Sequence, residues 1–179
     1  MKIGLCGTMS VGKTTLVKAL KKESEFKNYT FRTERSKVLN SMGIPLNTDS
    51  TLKGQLVFAA ERAAELMQEN IITDRTIIDV MAFCELSKSM SKAEKDHING
   101  VLWHLIREYD IIFHIDDLSV PIEDNGIRET NKDYRLAIHQ KISSILGMLK
   151  YMPGKVITIS GTTEERINKI KDTLDMYNK

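Results

Sequence analysis

The sequence is poor in the features that would place it in most other protein classes. Its two cysteines, Cys6 and Cys84, have no metal-ligand spacing. They fall in a predicted strand and a predicted helix, so they are expected as buried thiols rather than a disulfide. The four histidines, His97, His104, His114 and His139, are equally scattered and read as structural or surface residues. No apolar run approaches the ~20 residues needed to cross a bilayer. No signal peptide is visible, because Met1-Lys2 lead straight into a predicted strand, and no repeat or low-complexity segment appears. An excess of one charge is missing too: 26 basic against 24 acidic residues leave +2. That balance does not indicate a nucleic-acid groove, which neutralises many phosphates. What these absences leave is one cytoplasmic globular domain over 1–179, with no membrane partner. Its 179 residues fill one core but not two enzyme domains, and its 41% hydrophobic and 28% charged residues suit that class. Nine scattered methionines are expected to fill core gaps.

Against this background one segment stands out. Gly7-Thr8-Met9-Ser10-Val11-Gly12-Lys13-Thr14 has the spacing G-x-x-x-x-G-K-[ST] and follows the apolar run Lys2-Ile3-Gly4-Leu5-Cys6. It reads as a strand running into a phosphate-binding loop. Glycines let the main chain fold around a β-phosphate with its N–H groups inward, Lys13 brings positive charge to the β and γ oxygens, and Thr14 offers a hydroxyl to Mg²⁺. A helix starting near Gly12 adds the positive end of its dipole at the same place. A functionless glycine-rich turn shows the same letters; the strand before it and the amphipathic Thr15-Leu16-Val17-Lys18-Ala19-Leu20 after it favour a nucleotide site.

Four further β-branched runs predict strands at 29–33, 71–73, 111–115 and 156–159, each followed by a polar turn and a helical pattern. Helices are expected over about 12–23, 35–42, 51–68, 77–88, 93–109, 132–152 and 163–177. Segment 51–68 has the clearest apolar face, made of Leu52, Leu56, Ala59, Ala60, Ala63, Ala64 and Met67. Strands alternating with helices predict an α/β fold, a doubly wound five-stranded parallel sheet. Ligands of such sheets sit beyond the carboxyl ends of the strands. Gly7 to Thr14, Glu34-Arg35, Asp74-Arg75, Asp116-Asp117 and Ser160-Gly161-Thr162 all occupy such exits. The polar stretch from Asp117 to Thr130 is long for a connection in a compact domain and reads, to about residue 135, as a lid.

At these exits Asp74 is placed to hold Mg²⁺ opposite Thr14, and Arg75 to grip a phosphate by its planar fork, although an ion pair between them reads the same. Glu34 is either an acceptor-side base or an acid stabilising a helix dipole, and Arg35 shares that ambiguity. Arg128 and Arg135 flank a glycine-bearing segment and are placed to close over the γ oxygens. Ser160-Gly161-Thr162 followed by Glu164-Glu165 is a helix start that also stands beside an adenine edge.

The phosphate loop, Thr33-Glu34-Arg35-Ser36, Asp74-Arg75-Thr76-Ile77-Ile78-Asp79 with Ala82-Phe83, and Asp124-Asn125-Gly126-Ile127-Arg128 leading to Tyr134-Arg135 together resemble the small AAA-28 type ATPase/kinase family. That family is similar to ribosylnicotinamide kinase domains and, more distantly, to thymidylate and deoxynucleoside kinases. The resemblance implies a P-loop NTPase fold of the nucleoside monophosphate kinase kind with a lid. It implies ATP·Mg²⁺ on the loop residues Gly7, Ser10, Val11, Gly12, Lys13, Thr14 and Thr15, with Gly161 and Thr162 beside them. It implies an acceptor near Glu34, Arg35, Arg62 and Arg75, and catalytic roles for Lys13, Glu34, Asp74, Arg75, Arg128 and Arg135. The insertions that shape a nucleoside pocket in those kinases are missing, and Asp79 has no assigned part.

The expectation is therefore a kinase moving the γ-phosphoryl of ATP to a nucleoside or (deoxy)nucleoside monophosphate by positioning and charge stabilisation. Two other readings stand beside it: a 5′-hydroxyl polynucleotide kinase, and a nucleotide-dependent switch or assembly ATPase with no small-molecule acceptor. A homodimer is left open.

Overall fold

The computed structural model describes residues 1–33, 35–122, 130–149 and 155–177. Five strands, β1 (Lys2–Cys6), β2 (Thr30–Arg32), β3 (Ile71–Asp74), β4 (Ile111–Ile115) and β5 (Val156–Ile159), lie in the order β2-β3-β1-β4-β5, every pairing parallel. Parallel neighbours need crossovers, and helices supply them. These are α1 (Lys13–Leu20), α2 (Ser36–Ser41), α3 (Leu52–Glu65), α4 (Ile77–Leu86), α5 (Lys92–Ile106), α6 (Lys132–Met148) and α7 (Thr163–Tyr177). Because β1 has β3 on one side and β4 on the other, winding reverses at β1, and the loop leaving it opens into the crevice at that switch.

The inner strands β1, β3 and β4 are buried and largely apolar because both faces of the sheet are covered there. Ile111, Phe113 and Ile115 of β4 pack with Ile3, Leu5, Val11 and Leu16 on the side of α1 and α7, while Ile112 packs with Ile78, Ile98, Leu102 and Ile138 on the side of α4, α5 and α6. Each such side chain contributes about 1.5–3 kcal/mol by leaving water. Cys6 and Cys84 are buried and free. No described helix is long and apolar enough to cross a membrane.

Strands β4 and β5 occupy the predicted residues, whereas several helices end earlier than their patterns suggest. α1 stops at Leu20, α3 at Glu65, α4 at Leu86 and α5 at Ile106. At each end the chain tightens into three-residue turns, with Lys22 donating to Ala19, Gln68 to Glu65, Ser87 to Cys84 and Glu108 to Leu105. The last residues predicted for the helix after Lys132, 150–152, lie outside the described residues.

The expected apolar face of α3 is a correction. Leu56 is 51% and Met67 84% exposed, and Ala60 and Ala64 are exposed as well. The helix instead buries Gln55, Arg62 and Glu65 beside Gly54 and Ala59. Periodicity failed here because the inward polar side chains have partners: Arg62 bonds Glu65 and main-chain carbonyls at the end of β3. A buried charge is tolerated where it is paired and hydrogen-bonded in this way.

Candidate nucleotide-binding site

The turn after β1 departs from ordinary backbone at Gly7 (φ 151°), Ser10 (φ 57°) and Gly12 (φ 86°). Gly12 has two reasons to lack a side chain, its left-handed backbone and a Cβ position 3.0 Å from Nη1 of Arg166. Donors around the loop take its carbonyls. Lys13 Nζ donates to Gly7 and Thr8, each at 2.6 Å, Arg135 Nη2 to Ser10 at 3.3 Å, and Arg166 Nη1 to Val11 at 2.7 Å. The Leu16 amide donates to Gly12 at 2.9 Å. With these oxygens engaged and the Gly7 amide held by Asp79, the amides at the start of α1 are the groups the loop offers an anion. The start of α1 agrees. Side chains of Thr51, Thr76, Ser91, Asn131 and Thr162 cap α3 to α7, whereas no side chain caps the six-residue α2 at Arg35 or α1 at Gly12. The first-turn amides of α1 are free of any such cap, as a phosphate-binding helix requires.

Burial first, and the nearby Arg75 second, lower the Lys13 ammonium to about 8 against the opposing pull of Asp79 and Asp74. A phosphate beside it would restore the charged form.

The second half of the site comes from the end of β3. Asp74, 1% exposed, accepts the Thr14 hydroxyl on Oδ2 at 2.5 Å, while its buried Oδ1 has no hydrogen-bond partner among the described residues. An orphaned carboxylate oxygen beside a threonine hydroxyl is the hard oxygen donor set that Mg²⁺ accepts, so these residues fit the ion. Arg75 follows at φ 84°, a conformation costing a non-glycine residue on the order of 1–3 kcal/mol. Its guanidinium lies 5.1 Å over the Phe83 ring, with Nη1 3.7 Å from Oδ1 of Asp79.

Asp79 and Arg166 are the residues that sequence reasoning missed. Asp79, 1% exposed, accepts from the Thr76 amide (2.7 Å), the Thr76 hydroxyl (2.9 Å) and the Gly7 amide (3.3 Å). One carboxylate thus ties the phosphate loop to the start of α4. The Thr76-x-x-Asp79 capping signature was its available signal. Arg166 joins Val11 to Asp117, whose Oδ2 is 2.6 Å from Nη2. An arginine in the first turn of α7, where a helix favours acids, was the corresponding anomaly.

A cleft of about 600 Å³ brings together Ser10, Gly12, Lys13, Thr14, Thr15 and Lys18 with Thr33, Arg35, Lys37, Asp74 and Arg75. Arg35 is also paired with Glu61 at 2.8 Å. Arg62 does not line this cleft: it is 3% exposed and bonds the carbonyls of Asp74 and Arg75 and the Glu65 carboxylate. Gly161 and Thr162 are outside the lining too, exposed at the start of α7, where Thr162 and Glu165 cap each other. Arg135, 7% exposed, braces the loop from α6, its own carbonyl accepting the Thr8 hydroxyl at 3.0 Å. Glu34 and Arg128 lie outside the described residues, as do residues 123–127 of the expected lid.

These features define a P-loop α/β fold, and the family comparison agrees. A family profile described as AAA domain matches residues 2–166, and the chain belongs to that family. No curated protein matches it. Among solved structures it is similar to deoxyadenosine kinase from M. mycoides with dCMP and dCDP bound, at 16% identity and TM-score 0.74, covering 99% of this chain and 100% of that one. Thymidylate kinase from Candida albicans shares 18% identity at TM-score 0.71, covering 98% and 91%. NadR protein in complex with NR shares 17% identity at TM-score 0.73, covering 96% of this chain and 50% of that one. At such identities the likeness is one of fold.

Proposed function

We propose that the protein is an ATP-dependent phosphotransferase whose acceptor is a nucleoside or (deoxy)nucleoside monophosphate. The observation that carries this reading is the shared cleft, in which the phosphate loop faces the exits of β2 and β3 across one opening. A hydrolytic switch needs room for a water; a kinase needs room for a second molecule. Among the described residues of the opening, Lys13, Lys18, Arg35, Lys37 and Arg75 are basic and Asp74 is acidic, a balance that favours an acceptor already carrying phosphate. The named kinases of the same fold support the reaction class.

In this reading the loop amides and Lys13 hold the β- and γ-phosphates, and Thr14 and Asp74 hold the metal. Mg²⁺ bound there with ATP supplies neutralisation of the phosphate charge. Arg75 orients the acceptor, Arg35 contributes to its binding, and Glu34 receives the hydroxyl proton when the acceptor is a nucleoside. Arg128, carried by a lid over about 117–135, closes on the transferring group with Arg135 at its base. Gly161 and Thr162 stand near the adenine. Use of ATP supports a cytoplasmic location.

Incubation with ATP·Mg²⁺ and a panel of nucleosides, nucleoside monophosphates and 5′-hydroxyl oligonucleotides tests the proposal. ADP release that depends on a nucleoside or its monophosphate is the expected result. Release indifferent to acceptor, or dependent on the oligonucleotide, overturns it.

A further inference from the structure

The inward polar stripe of α3 is where this chain breaks its own amphipathic pattern, and such breaks concentrate at sites with a task. Arg62 lies at its centre. One nitrogen, Nη1, donates to two consecutive carbonyls, those of Asp74 at 3.2 Å and Arg75 at 3.3 Å. The other, Nη2, is held by Glu65 at 2.8 Å. Between those two carbonyls the backbone passes through the left-handed conformation of Arg75. From the same two residues the Asp74 carboxylate reaches Thr14 on one side, and the Arg75 side chain reaches Phe83 and the cleft on the other.

A core ion pair alone does not require this arrangement, since Arg62 and Glu65 can meet one turn apart on any helix. Bonds to two successive carbonyls of an irregular turn are an additional function. A planar fork clamped at its far end cannot follow those carbonyls if the turn relaxes toward ordinary backbone.

We propose that Arg62 is a positioning residue that fixes the turn at Asp74-Arg75 from behind, keeping Asp74 beside Thr14 for the metal and Arg75 in the cleft for the acceptor. This rests on the phosphotransferase reading, and its role runs wholly through Asp74 and Arg75. Lysine at this position keeps a positive charge opposite Glu65 but replaces the rigid fork with a point charge on a flexible stem.

The test is Mn²⁺ uptake followed by electron paramagnetic resonance in the presence of a non-hydrolysable ATP analogue, a readout that needs neither acceptor nor turnover. Arg62→Lys is expected to unfold cooperatively and to bind the analogue without metal to within about twofold of wild type, while Mn²⁺ affinity falls about tenfold or more, as when outer-shell partners are lost. The Mg²⁺ concentration giving half-maximal turnover rises in parallel. A folded Arg62→Lys protein with wild-type Mn²⁺ affinity overturns the proposal. If that variant does not fold, Arg62→Met combined with Glu65→Leu leaves no buried charge unpaired and is read in the same way. Wild-type protein that takes up no Mn²⁺ with the analogue overturns this inference together with the metal assignment. Intact metal binding without acceptor-dependent turnover overturns the kinase reading alone.

Discussion

The hydroxyl of Thr14 donates to Oδ2 of Asp74 at 2.5 Å, joining the first turn of α1 to the last residue of β3. The contact follows from the parallel register in which Asp74 lies beside Leu5, just before the phosphate loop. Asp74→Asn keeps an acceptor for Thr14 and removes the charge. Binding of metal-free ATP is therefore expected to hold or tighten, while the Mg²⁺ requirement of turnover rises by about tenfold or more. Titration of Mg²⁺ at fixed ATP measures this, and an unchanged midpoint removes Asp74 from the metal site.

Lys13 is buried with its ordinary value of 10.5 lowered to about 8. Above pH 8 the empty protein holds it neutral, and phosphate binding must draw a proton to it. ATP affinity is expected to fall as pH rises through about 8, with net proton uptake on binding. Calorimetry at pH 8.5 in two buffers of different ionisation enthalpy reads that uptake directly. Lys13→Ala is expected to abolish turnover and the buffer dependence together.

Arg166 links Val11 of the loop to Asp117, whose carboxyl is held below its usual range first by the Ser119 hydroxyl and also by Arg166. Arg166→Ala strands the Val11 carbonyl and a half-covered carboxylate, at a cost of about 2–4 kcal/mol. It should lower the melting temperature and weaken ATP binding at the same time. Saturating ATP is expected to restore part of the lost stability, which thermal unfolding with and without nucleotide reveals.

Burial raises the Glu65 carboxyl from 4.5 to about 7, with Arg62 opposing the shift. The folded protein therefore binds this proton more tightly than the unfolded chain, and the stabilisation belongs to the low-pH side. It declines as pH climbs from about 4.5 through about 7, then levels off. Glu65→Gln removes the titration. Its stability relative to wild type is expected to improve between pH 5 and pH 8 in urea unfolding. A difference that stays flat across that range contradicts the assignment.

Legibility varied with the range of the interactions involved. The strands at 111–115 and 156–159 and the helix at 163–177 coincide with their patterns, because β-branched runs and local caps act within a few residues. The order in which residues meet was partly visible, since parallel topology sends every strand exit to one edge. The α3 face was misread because hydrophobic periodicity assigns Leu56 inward and leaves Arg62 off the apolar face, and nothing near them in sequence announces the carbonyls of Asp74 and Arg75. Asp79 and Arg166 were hidden for the same reason: their partners Gly7 and Val11 lie 72 and 155 residues away.

By itself, the sequence determined a glycine-framed loop at the end of a central strand and a sheet of parallel crossovers. Both follow from short-range rules of glycine backbone freedom and β-branched patterning. Tertiary structure alone decided which side chains hold that loop and the neighbouring Asp74 in place. Lys13, Arg135 and Arg166 converge on its carbonyls, Asp79 ties it to α4, and Arg62 turns inward behind Asp74. The physical reason is that a buried charge is placed by its partners, and these partners become neighbours only when the chain has folded.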